Sequence, residues 1–170
     1  MQADTDAMAR GRRGGAARGF SLVELLVVIV IMGVLASIGL PLAELSEKRT
    51  KEEGLRRALR EIRSAIDSYK RLSDVGAIQR NADATGYPPA LETLVQGVTD
   101  ARSPLGAKIY FLRSLPRDPF ALTVVAPASE SWRMRSYASP PDDPKEGKDV
   151  YDVHSSSNGL GLNGVPYREW

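Results

Sequence analysis

The chain has 170 residues, room for one long helix and one small domain. It contains no cysteine, which excludes a disulfide framework, a thiolate nucleophile and a Cys-ligated zinc site. Its net charge of +2 sits in the first 19 residues, and the Lys and Arg further on are interleaved with as many acids, so no nucleic-acid surface is expected.

Residues 1–19 are rich in Gly, Ala and Arg and poor in apolar side chains. The stretch Arg10-Gly11-Arg12-Arg13-Gly14-Gly15 cannot build a core. The composition changes abruptly at Phe20. From there to Leu42 the only charge is Glu24. About 20 apolar residues span the ~30 Å hydrocarbon layer of a bilayer. The arginines ahead of the run keep that end cytoplasmic by the positive-inside rule.

Pro41 closes the apolar run and is expected to kink or loosen the helix by removing one hydrogen bond. Helical spacing then resumes. Leu55, Leu59, Ile62, Ile66 and Tyr69 are separated by alternating steps of four and three, which makes one apolar stripe. Lys48, Arg49, Lys51, Glu52, Glu53, Arg57, Arg60, Glu61, Arg63 and Lys70 read as the solvated face of the same helix. One helix from about Ser21 to about Leu72 follows, roughly 75 Å long, with Gly54 as its weak point.

The remainder predicts short elements between turns. Asp83 to Gly86 and Tyr87-Pro88-Pro89 mark a loop, and Ala90 to Val95 a short helix. Ile109 to Leu112 fits strand or helix. Leu115-Pro116-Arg117-Asp118-Pro119-Phe120 reads as a turn with an aromatic anchor. Trp132 to Ala138 alternates as a half-buried strand does. Val150 to His154 alternates again and pairs with it across the loop Ser139 to Gly147. Ser155 to Gly164 is loop. Phe111, Phe120, Trp132 and Tyr137 are spaced as a small core.

The run Gly19-Phe20-Ser21-Leu22-Val23-Glu24-Leu25-Leu26-Val27-Val28-Ile29-Val30-Ile31 closely resembles the signature of the type IV pilin family. A Gly precedes an apolar residue, Ser follows, Glu stands fifth in the mature chain, and a Pro lies near the end of the run. The acid is the telling feature, because a carboxylate in a membrane helix costs about 2.5–3.5 kcal/mol. A secretory signal peptide explains neither Glu24 nor the bulky residues after the run. The resemblance implies that a prepilin peptidase cuts after Gly19 and that the new amino terminus on Phe20 is methylated. It also implies that Glu24 meets a neighbour's Phe20 ammonium when apolar helices bundle into a filament.

Further on, Gly86-Tyr87-Pro88, Leu91, Leu94-Val95, the Leu115 to Phe120 motif, Asp152-Val153 and Trp170 resemble the major pseudopilins of type II secretion. That likeness implies a calcium loop near the C-terminus. The oxygen-bearing candidates are Asp149, Asp152, Asn158 and Asn163. Two asparagines stand where acids are expected, and calcium prefers charged oxygens, so a metal-free pair of Asn-Gly turns is the favoured reading and no cofactor is assigned. Asp152, His154 and Ser155 do not make a triad, since neighbouring strand residues face opposite ways. No phosphate loop, zinc spacing or paired-carboxylate motif is present, and the chain is read as a non-enzyme.

The expected fold is α+β and pilin-like: a long N-terminal transmembrane and amphipathic helix, then a small head with a short helix and a small antiparallel sheet. The expected divisions are a leader 1–19, a membrane and filament-core helix 20–42, its amphipathic continuation 43–72, and a periplasmic head 73–170. The expected role is a structural subunit of a type II secretion pseudopilus. A minor or specialised type IV pilin for adhesion, motility or DNA uptake is the alternative, and a membrane-anchored periplasmic binding domain a third. The resemblance implies as partners the peptidase, an inner-membrane assembly platform and ATPase, other pseudopilins, membrane lipid and further copies of the chain. It implies a single-pass inner-membrane protein whose head becomes part of a periplasmic filament.

Overall fold

A computed structural model describes residues 19–121 and 125–170, with the side chains of 38–41 outside the description. The leader up to residue 18 and the side chain of Pro41 therefore lie outside the described residues. The chain divides into two compact units, Met1–Ala43 and Glu44–Trp170.

One helix, α1 (Leu22–Asp74), contributes to both. Its first turn carries Glu24, where an acid suits the positive end of the helix dipole. In the first unit the large apolar side chains from Phe20 to Leu35 are all exposed among the described residues. The helix is long and apolar enough there to cross a membrane. At its far end α1 closes with Ala77 N–H on Leu72 O at 2.9 Å and Gly76 N–H on Ser73 O at 3.1 Å. Gly76 has φ +74°, the left-handed conformation this closure needs.

The second unit is built on the apolar stripe of α1. Leu55, Leu59, Ile62, Ile66 and Tyr69 are all buried, as their spacing predicts. Leu91 and Leu94, around the short helix α2 (Glu92–Gln96), pack on that stripe with Trp132, Val153 and Tyr167. Gly54, expected as a weak point, lies within the continuous helix and faces the 115–120 turn. A Cβ there would stand 3.3 Å from Pro119 Cγ, so the missing side chain makes room for the 115–120 turn.

Two small antiparallel ladders complete the head. The first pairs β1 (Val98–Thr99) with β2 (Lys108–Ile109). The segment left open between strand and helix is thus strand only as far as Ile109. Phe111 and Leu112 then turn both their N–H groups onto Leu94 O at 3.0 Å, which ends the ladder. The second pairs β3 (Trp132–Arg135) with β4 (Asp152–Ser155), placing Trp132 opposite Ser155 and Met134 opposite Val153. Of the four aromatics assigned to the core, Tyr137 is not in it. It is 59% exposed and lies beside Tyr87 and Tyr151, with ring centroids 5.5 Å away in each case. Strand alternation explains this: Trp132 and Met134 face the core, and Tyr137 shares the opposite parity with the exposed Arg133.

Candidate functional site

Two regions carry the residues singled out above. At the N-terminal junction, Gly19 and Phe20 precede α1, and Phe20 is 82% exposed. A Cβ added at Gly19 would meet no described residue within 4 Å. Ser21 O accepts the Leu25 N–H at 3.1 Å and starts the helix. Glu24 follows on the exposed first turn, and Pro41 lies within the span of α1. The exposed rod therefore presents one carboxylate near its tip, four residues from the junction.

The second region is the C-terminal segment that follows β4. Of the four calcium-loop candidates, Asn158 and Asn163 lie there, Asp152 lies in β4 and Asp149 precedes it. Asp149 is buried before β4. Its Oδ1 accepts the Ser136 hydroxyl at 2.7 Å and the Tyr137 N–H at 2.9 Å, and its Oδ2 accepts the Thr85 hydroxyl. Burial acts to raise the pKa of Asp149, but these three donors outweigh it and hold the carboxyl below its ordinary value. Asp152 Oδ1 accepts the Arg63 Nε–H and the Val153 N–H, both at 2.8 Å. Arg135 stands 3.7 Å from the other oxygen. Asn163 Oδ1 accepts the Val165 N–H at 3.1 Å, and Asn158 is exposed. Among the described residues no group of three or more His, Cys, Asp and Glu side chains is placed to hold a metal.

The segment is organised by three other charged groups. Glu52 belongs to the face of α1 expected to be solvated, yet it is buried, 7% exposed. Its Oε1 accepts the Leu162 N–H at 2.7 Å and the Tyr167 hydroxyl at 3.0 Å. Burial first, and then the bond to Glu52, push the Tyr167 pKa up to about 12. Arg63, on the same face, is likewise turned inward. Besides Asp152 it donates to Val153 O at 3.0 Å and Trp170 O at 2.7 Å. Asp118, in the Leu-Pro-Arg-Asp-Pro-Phe turn, is 2% exposed. Its Oδ2 accepts the Ser155 hydroxyl at 2.6 Å and the Ser156 N–H at 3.2 Å, while Oδ1 accepts the Phe120 N–H at 2.8 Å.

A signal for Glu52 existed in the sequence. It stands three residues before Leu55 and extends the buried stripe by one step. Reading it as solvated followed its charge instead of its position. The same contacts separate the rejected triad: Asp152 faces Arg63, while Ser155 faces Asp118.

An exposed apolar rod with a lone acid in its first turn, joined in sequence to a small head, defines a pilin-like membrane subunit. The prokaryotic N-terminal methylation motif matches residues 15–40. The chain is 32% identical over 107 residues to type II secretion system core protein G of Klebsiella michiganensis, covering 61% of this chain and 68% of that one. It is 36% identical over 110 residues to the Escherichia coli protein of the same name, covering 61% and 66%. The Pseudomonas aeruginosa protein is 31% identical over 106 residues, covering 60% and 67%. No solved structure matches the chain. The chain belongs to the core protein G family of type II secretion systems, the major pseudopilins, a structural and non-enzymatic family. Membership implies partners in the secretion machinery, and the single N-terminal apolar helix is consistent with one pass through the inner membrane.

Proposed function

We propose that this pseudopilin is cut after Gly19, methylated on the Phe20 amine, and polymerised into a periplasmic filament through a pairing of Glu24 with a neighbour's amino terminus. The observation that carries this reading is Glu24 itself: one carboxylate on the first turn of an apolar helix that is exposed among the described residues. A carboxylate is a poor lodger in lipid, and a neighbouring ammonium is the partner that offsets its desolvation. Such a pair fixes axial register more than it adds stability.

In this reading residues 1–19 are the leader, 20–42 the membrane and filament-core segment, 43–72 its amphipathic continuation and 73–170 the periplasmic head. Prepilin peptidase, an assembly platform with its ATPase, other pseudopilins and membrane lipid are the partners, and filament growth drives folded proteins outward. Kinship to core protein G supports a secretion filament over a minor or specialised type IV pilin. The testing experiment is Glu24→Ala in cells that overproduce the subunit. Membrane insertion is expected to persist, while filament yield and secretion fall at least tenfold. Filaments at the normal yield would remove Glu24 from the mechanism.

A further inference from the structure

The resemblance of the C-terminal motifs implies calcium, and the residues of this chain do not fit it. Calcium takes about six to eight oxygen ligands. Here the carboxylates in the region already accept hydrogen bonds. Both oxygens of Asp149 do, and the Arg63 guanidinium occupies the approach to Asp152. The Arg63 and Arg135 guanidinium groups beside Asp152 offset the negative charge that would draw a divalent ion there. The asparagines supply no charge, and Asn163 already accepts from Val165.

We propose that Glu52, Arg63 and Asp118 form a clamp that fastens the C-terminal segment to α1 and to the 115–120 turn, making the head of this pseudopilin independent of calcium. The clamp grips at successive points. Asp118 takes Ser155 and Ser156 at the end of β4, Glu52 takes Leu162 and Tyr167, and Arg63 takes Trp170. Each grip uses a charged group in a buried or half-buried place, where a hydrogen bond is strengthened by the charge and its loss is felt in full. Phe120 stacks on Tyr167 at 4.2 Å, and Arg56 lies 4.3 Å over the Trp170 ring, so the same segment is also held by its aromatic side chains. Two of the three clamp residues lie on one helix and the third in the turn that Gly54 admits. All three belong to the Glu44–Trp170 unit.

The test uses the full chain in detergent micelles, with thermal unfolding followed by tryptophan fluorescence in EGTA and in millimolar calcium. The expected midpoints coincide. Terbium, a luminescent stand-in for calcium, is expected to give no saturable emission sensitised by the nearby Trp170 and Tyr167. Glu52→Ala is expected to lower the midpoint by roughly 5 °C in both buffers alike, the shift that lost buried hydrogen bonds give a domain of this size. Glu52→Gln retains a carbonyl oxygen for both donors and is expected to retain most of the stability. A midpoint raised by calcium, or saturable terbium emission, would overturn the proposal, as would Glu52→Ala unfolding at the wild-type temperature. The wild-type comparison needs no variant, so the proposal stays exposed to refutation even if Glu52→Ala fails to fold.

Discussion

Tyr167 shows how much a single hydroxyl contributes here. It donates to a buried carboxylate that also holds the Leu162 N–H, and its pKa is pushed from the ordinary value of 10.0 to about 12. The unfolded chain releases this proton near pH 10, while the folded head keeps it until about pH 12. The resulting stability is fully present below pH 10 and is lost as pH rises through 12. Tyrosinate absorbance recorded against pH is expected to show Tyr69, Tyr87 and Tyr167 titrating above the ordinary value, and Tyr167→Phe to remove the step near pH 12. The same substitution is expected to cost about 1–2 kcal/mol in denaturant unfolding at neutral pH, since Glu52 loses one of its two donors. The role of Glu52 was legible from its place on the stripe, but its charge argued the other way. Only the loop that returns to cover it, more than 100 residues later, decides between the two, and that return is a tertiary fact.

At the scale of elements, α1 was the most legible part of the chain. An apolar run followed by a stripe at helical spacing leaves few alternatives, and the helix Leu22–Asp74 lies within two residues of its expected ends. The antiparallel pairing of β3 with β4 was equally readable from two alternating runs across a Pro/Asp loop. The 109–112 segment was not, because a four-residue apolar run carries no period and Leu94 O captures its last two N–H groups. Nor was the role of Gly54. A glycine in a helix reads as a defect until Pro119 is found against it. Two substitutions on α1 separate packing from propensity. Ile62→Ala, at a fully buried site, is expected to cost about 2–5 kcal/mol. Gly54→Leu raises helix propensity yet is expected to destabilise by about 1–3 kcal/mol, because the new side chain must displace the 115–120 turn. Urea unfolding of each variant measures both. A stabilised Gly54→Leu would show that the turn yields freely.

For the molecule as a whole, the two units answer to different solvents. The Glu44–Trp170 unit buries its own stripe, whereas the apolar side chains from Phe20 to Leu35 are exposed among the described residues and suit lipid or other helices. The family could be read from the sequence because its signature places a charge where membrane physics penalises one. The clamp could not, because its three members are scattered between residues 52 and 118 and share no motif. The account rests on the junction after Gly19 being cut. Mass spectrometry of the chain purified from its own membranes tests this most directly. The expected N-terminal peptide begins at Phe20 and carries one methyl group on its amine. A chain still beginning at Met1, in cells with active prepilin peptidase, would contradict it.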